Sequence, residues 1–210
     1  MKIVLLGTAG YHPNARRHTA CVMLPELGLV LDAGTSMFRV RDHLATDELD
    51  IFISHTHLDH VVGLTFLLDV LYQRTMHRVT VHAEQHTISA IKNILLSAPL
   101  FPVKLPCEFR PLDTEAMAQS EAIASRGLSI AGGGTLTWFP LQHPGGSTGF
   151  RLDWPERSLA YVTDTTADAD ADYVELIRGV DVLLHECNFR DGQETFARQT
   201  GHSSATSVAR

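Results

Sequence analysis

The sequence predicts an α/β or α+β domain built on layered sheets. Three observations predict it. Short apolar runs of strand length interleave with stretches of helical spacing along the whole chain. Several of those runs end directly in a polar residue. No linker-like stretch divides the sequence, so residues 1–210 are treated as one domain, long enough to bury a sizeable core.

The elements follow in order. Ile3 to Leu6 reads as a buried strand, followed by a Gly/Pro/Asn-containing loop to about Arg17. Ala20–Leu24 and Leu29–Leu31 read as strands joined by a hairpin turn at Pro25–Gly28. Ile51–Ile53 is a short strand. From Leu58 to Gln73 the residues Val61, Leu64, Leu67, Leu68 and Leu71 recur at helical spacing. Val79–His82 predicts a strand and Thr87–Leu96 a helix. Four prolines between Pro99 and Pro111 predict a loop or an edge strand. Residues 113–127 carry no clear period. Thr135–Leu141, Thr148–Leu152 and Leu159–Thr163 predict antiparallel strands, Tyr173–Arg178 a short helix and Val182–Leu184 a buried strand. A helix starts at Ser203 and reaches the chain end.

The formal charge of −7 argues against a broad basic surface for nucleic acid. Cys21, Cys107 and Cys187 are scattered and odd in number, which argues against a disulfide framework and for a reducing compartment. The apolar start MKIVLLGTAG is too short for a secretory signal, and no run is long enough to span a membrane. Cytoplasm is the simplest location.

Five polar stations follow apolar strands: Asp32, Ser54-His55, Gln142-His143, Asp164 and His185-Glu186. Strand ends hold side chains on a rigid backbone along one rim, where imidazoles and carboxylates can converge on a divalent metal. The segment His55-Thr56-His57-Leu58-Asp59-His60 is the densest of these. Residues two apart in an extended segment project to the same side, so His55 and His57 can grip one ion. The turn into the following helix can redirect Asp59 and His60 to a second. His12, His18, His43, His77, His82 and His86 are read as ordinary satisfied histidines.

These pieces, with His143 in HPGGSTGF and Asp164 in VTDTT, resemble the metallo-β-lactamase superfamily. The opening GTAG, the LVLDAG segment and the late HECNF and GHSS segments resemble its ribonuclease Z and cyclic-phosphodiesterase branch. The resemblance covers nearly the whole chain. It implies a four-layer αββα sandwich with two divalent ions at one edge, zinc first, manganese or iron as alternatives. It implies that His55, His57 and His143 hold one metal, that Asp59 and His60 hold the second, and that Asp164 bridges. Asp59 would also orient the attacking hydroxide. Asp32 falls where the family has a carboxylate behind the ligands, with a turn or packing role as the alternative. His202 in GHSS matches a histidine near the leaving group, with helix entry beside Ser203 and Ser204 as the alternative. Glu186 would orient His202 or serve structure alone.

Two departures stand out. Only 21 positions separate His143 from Asp164 (164 − 143), too few for the tRNA-gripping arm that ribonuclease Z commonly carries there. The family's last metal histidine follows the GHSS helix, and this chain stops at Arg210, which implies a truncated domain or an incomplete second metal site with His185 as a conceivable substitute. The expected function is a metal-dependent hydrolase, first a phosphodiesterase that uses a hydroxide shared by the metals. Its substrate would be a small phosphodiester or an RNA end, and a homodimer is an expected assembly. The alternatives are a thioester, lactone or other acyl hydrolase, and a catalytically weak metal-binding or sensing protein.

Overall fold

The computed structural model describes residues 1–112 and 127–210. The stretch 113–127, which the sequence leaves without an element, lies outside the described residues except for Gly127. The chain clusters into two compact units, Met1–Thr114 and Glu115–Arg210.

The first unit holds a six-stranded sheet in chain order: β1 (Val4–Gly7), β2 (Cys21–Leu24), β3 (Leu29–Leu31), β4 (Glu48–Phe52), β5 (Arg78–Ala83) and β6 (Glu108–Pro111). β1, β2 and β3 run antiparallel, and β3 through β6 run parallel. Parallel strands covered on both sides need apolar residues at nearly every position. β3 meets that need, and its antiparallel neighbour β2 is likewise apolar and buried throughout. β4 and β5 instead alternate. Leu49, Ile51, Val79 and Val81 face a core with Val61, Leu64, Leu67 and Ile88, while Asp50, Phe52, Thr80 and His82 stand in register on the other face. The proline-rich stretch supplies the edge strand β6, as predicted.

The helical spacing from Leu58 to Gln73 does not produce one helix. It breaks into α2 (Leu58–Val61), a 3-10 stretch (Val62–Phe66) and α3 (Leu67–Val70), after α1 (Val40–His43) earlier in the chain. The reason lies in where the backbone groups bond. His60 O accepts from Ala33 N at 2.8 Å, and Gly63 N donates to Ala33 O at 2.8 Å, so neither follows the intrahelical pattern. The Thr87–Leu96 expectation resolves into α4 (Gln85–Ala90) and a π-helical stretch (Ile91–Leu95).

The second unit holds a five-stranded sheet in the order β11-β10-β9-β8-β7. Its strands are β7 (Gly127–Ile130), β8 (Gly134–Leu141), β9 (Ser147–Trp154), β10 (Arg157–Val162) and β11 (Val182–His185). The three predicted strands at its centre are antiparallel, as expected. β11 joins β10 in parallel. β8, β10 and β11 therefore end on the same edge, because β8 and β10 both oppose β9. Its helices among the described residues are α5 (Asp172–Ile177), α6 (Glu194–Thr200) and α7 (Ala205–Val208). Tyr173 of α5 packs on Phe139, Leu141 and Val162. Helix α7 begins with a capping box between Ser204 and Ser207, the start foreseen at Ser203. Among the described residues, no helix is long and apolar enough to cross a membrane.

Candidate metal-binding clusters

In the first unit β3 and β4 end side by side. Asp32 follows one strand and Ser54-His55 the other. Asp32 is fully buried and has a left-handed backbone, φ 59°. Its Oδ1 accepts the Ser54 N–H at 2.8 Å, and its Oδ2 accepts the Ser54 hydroxyl at 2.9 Å and His60 Nδ1 at 2.8 Å. Burial alone would raise the Asp32 carboxyl. The neighbouring His60 and His55 and the Ser54 N–H outweigh burial and hold it below the usual carboxylate range.

This network sets the tautomers of two rings. An ionised carboxylate only accepts, so His60 carries its proton on Nδ1. The single Ser54 hydroxyl proton goes to Asp32, so at 2.9 Å from His55 Nδ1 that oxygen accepts, and His55 also carries its proton on Nδ1. When each ring is neutral, this arrangement leaves the lone pair on Nε2, the atom a metal requires. His57 ends the extended segment, and its ring packs edge-on to that of His55 at 4.6 Å. His55 and His57 each offer a nitrogen within 4.8 Å of the other's. Helix α2 then places Asp59 Oδ2 at 3.5 Å from His60 Nε2.

Close approach of α2 to the Asp32 loop depends on Gly34. A Cβ there would lie 2.4 Å from Asp59 O and 2.4 Å from Thr19 Oγ1. Thr19 Oγ1 in turn donates to Asp59 O at 2.7 Å. The LVLDAG segment thus serves two ends: Asp32 orients rings, and Gly34 admits the helix that carries Asp59 and His60.

In the second unit His143 lies two residues past β8, Asp164 two past β10, and Glu186 one past β11. His143 Nδ1 donates to Gly201 O at 2.8 Å, which again leaves Nε2 with the lone pair. That Nε2 lies 3.7 Å from Asp164 Oδ2, beyond hydrogen-bond length and apt for two ligands of one cation. Gly201 has φ 74°, and a Cβ there would meet Pro144 Cδ at 2.2 Å. Glu186 Oε1 accepts the Thr165 N–H at 3.2 Å and the Ser203 N–H at 3.0 Å, while Oε2 accepts the Asn188 N–H at 2.9 Å. His202 Nδ1 lies 3.2 Å from Glu186 Oε1 and 3.0 Å from the Asn188 amide. The His202 ring is 5.1 Å from that of His143.

His185 takes a different position. Its Nδ1 donates to Glu186 O at 2.7 Å, and its Nε2 accepts from the Tyr173 hydroxyl at 3.0 Å. Burial lowers its pKa, which favours the neutral ring. Both nitrogens are thus engaged, and neither is offered as a ligand. His82, read as ordinary, lies 2.9 Å from Asp50 through Nε2 and stacks on Phe52. Sequence reasoning placed Ser54 at a strand end without its bridging role, and it missed Thr19, Asn188 and Gly201.

The donor sets suit divalent transition metals: imidazoles with protons fixed on the far nitrogen, each set accompanied by a carboxylate. A family model described as "Beta-lactamase superfamily domain" matches residues 29–210. A protein named Ribonuclease Z from Synechococcus sp. (strain CC9605) is 26% identical, over 100% of this chain and 81% of its own length. One named Ribonuclease BN from Escherichia coli O139:H28 is 27% identical, over 100% of this chain and 84% of its own. The crystal structure of human tRNase Z, short form, superposes with a TM-score of 0.78 at 23% identity, covering 100% of this chain and 86% of that one. The metallo-β-lactamase fold protein YhfI from Bacillus subtilis gives 0.72 at 18%, covering 99% and 79%. The expected metallo-β-lactamase-like α/β fold is therefore borne out, and the chain belongs to the metallo-β-lactamase superfamily, among its ribonuclease Z-like members.

Proposed function

We propose that this chain is a metal-dependent phosphodiesterase. The observation that carries the reading is the fixed tautomer of His55, His60 and His143, each with Nδ1 committed to a protein acceptor. On this reading His55, His57 and His143 hold one divalent ion, Asp59 and His60 hold a second, and Asp164 is shared. Zinc suits these donors, as do manganese and iron. Bound ions would supply Lewis-acid chemistry, acidifying water and neutralising charge on phosphoryl oxygens.

The remaining work falls to the chain's own groups. Asp59 accepts a hydrogen bond from the attacking water and orients it. His202, protonated, donates its Nε2 proton to the departing oxygen. Glu186 holds the ring through Nδ1. His185 supports Glu186 and takes no ligand role. The relatives' names favour a ribonucleotide phosphodiester: an RNA end or a smaller cyclic ester. Between His143 and Asp164 the chain forms only the β9–β10 hairpin, closed at Trp154–Arg157. An arm at this position is therefore absent, and a substrate must be held by another surface. The free thiols Cys21, Cys107 and Cys187 support a reducing cytoplasmic location, and a homodimer remains our proposed assembly.

The test is a panel of bis(p-nitrophenyl) phosphate, 2′,3′-cyclic nucleotides, short RNA ends and acyl thioesters, run on metal-loaded protein. Phosphodiester turnover is expected, and His202→Ala should lower it by about 10²–10⁴-fold with metal content unchanged. Selective acyl turnover, or no turnover with metal bound, would overturn the reading. Equal loss of metal in His202→Ala would remove its assignment as proton donor.

A further inference from the structure

We infer that the first unit carries a second ligand site, for an amphiphilic monoanion, at the sheet edge opposite the histidine cluster. β5 and β6 begin at that edge, and a cavity of about 560 Å³ opens beside them, between the residues after α3 and the segment before β6. That volume is in the range that accepts a small organic molecule. Its walls are chemically divided. Leu71, Val79 and Leu105 form an apolar side and are at most 8% exposed. Cys107 adds to it as a neutral thiol, because burial pushes its pKa up to about 11.

The polar side carries surplus positive charge. Arg78 faces both Asp50 and Glu48, which leaves one negative charge over, and Glu108 is neutralised by Arg110, so the two cations that follow leave a surplus of one positive charge. Among the described residues, two cations have no such partner. Arg74 donates there to the backbone carbonyls of Leu44 at 3.1 Å and Arg41 at 2.6 Å and to no carboxylate. Lys104 makes no ion pair or side-chain hydrogen bond among the described residues. Apolar walls favour a ligand body that water solvates poorly, and two unmatched cations favour an anionic head. A strongly hydrated inorganic anion would leave the apolar side uncovered. A neutral lipid would leave the charges unmatched. A carboxylate on an aliphatic or aromatic body satisfies both. The site uses none of the proposed metal ligands.

The probe is decanoate, with decylammonium and 1-decanol as controls, measured by calorimetry on the full chain. Saturable binding of decanoate at one per chain is expected, with weaker binding of both controls. Lys104→Glu should weaken it by about tenfold or more, and Lys2→Glu, a charge control outside the cavity, by less than about twofold. Circular dichroism checks that both variants fold. His57→Ala should bind decanoate normally, since a metal-bound carboxylate would be lost there. Equal binding of the three probes, equal effects of the two lysine variants, loss in His57→Ala, or no saturation would each overturn the proposal.

Discussion

Two buried carboxylates organise the two clusters, and they do so by different means. Asp32 acts through side chains: it bonds Ser54 and His60 directly and reaches His55 through the serine hydroxyl. Glu186 acts mainly through backbone: its carboxylate takes the N–H groups of Thr165, Asn188 and Ser203 and thereby ties three separate segments, and it also meets His202. The first fixes which ring nitrogen carries a proton. The second fixes where loops lie. A side-chain network fails when its charge is removed, whereas a backbone clamp tolerates any group that still accepts.

Asp32→Ala should show the largest effect. It strands His60 Nδ1, the Ser54 N–H and the Ser54 hydroxyl in the interior, and about 3–5 kcal/mol of stability should go. Metal affinity should fall by about 10–100-fold, since both rings lose their orienting partner. Urea unfolding and competition with a chromogenic chelator measure the two, and a change under about 1 kcal/mol would break the contrast. Gly34→Ala reaches the same cluster without touching a polar group. The new methyl must displace Asp59 O or Thr19 Oγ1, at about 1–3 kcal/mol, and calorimetric melting would report it.

Glu186→Gln should cost less, about 1–2 kcal/mol, because the amide oxygen still accepts from part of the clamp. Turnover should nonetheless drop, as His202 loses its charged partner. A stability loss matching that of Asp32→Ala would erase the distinction between the two carboxylates. The smallest effect belongs to Asp50, a third carboxylate beside a histidine. Burial alone would push its carboxyl up, but hydrogen bonds from His82 and Arg78 outweigh burial and bring it down to about 2. Its folded pKa lies below its unfolded value of 3.8, so the unfolded state takes up the proton first. The stability it confers is present above about pH 4 and is lost as pH falls toward 2. Melting between pH 5 and 2 should show a shallower slope in Asp50→Asn than in the parent chain.

The legible parts of the site were those with local density. His55 to His60 announce themselves because three imidazoles and a carboxylate in six positions make a poor core. The strand ends before Asp32, His143, Asp164 and Glu186 were readable from apolar runs that stop at a polar residue. What escaped was decided by partners far along the chain. The break after Val61 follows from hydrogen bonds to Ala33, which helical spacing cannot reveal. His185 was a conceivable substitute ligand in sequence, and Tyr173, twelve positions earlier, shows its Nε2 to be occupied. Helices α1 and α6 and strand β7 were missed, because short elements carry too little period to register.

The backbone at Asp32 leaves the residue caught between two requirements. Its positive φ admits glycine, asparagine and aspartate with little strain. Its neighbours demand a negative charge on a short stem. Asparagine meets only the first demand, glutamate brings the charge on too long a stem, and glycine brings no oxygen at all. Aspartate alone among the twenty residues satisfies both, so any single replacement here disturbs either the turn or the ring partners.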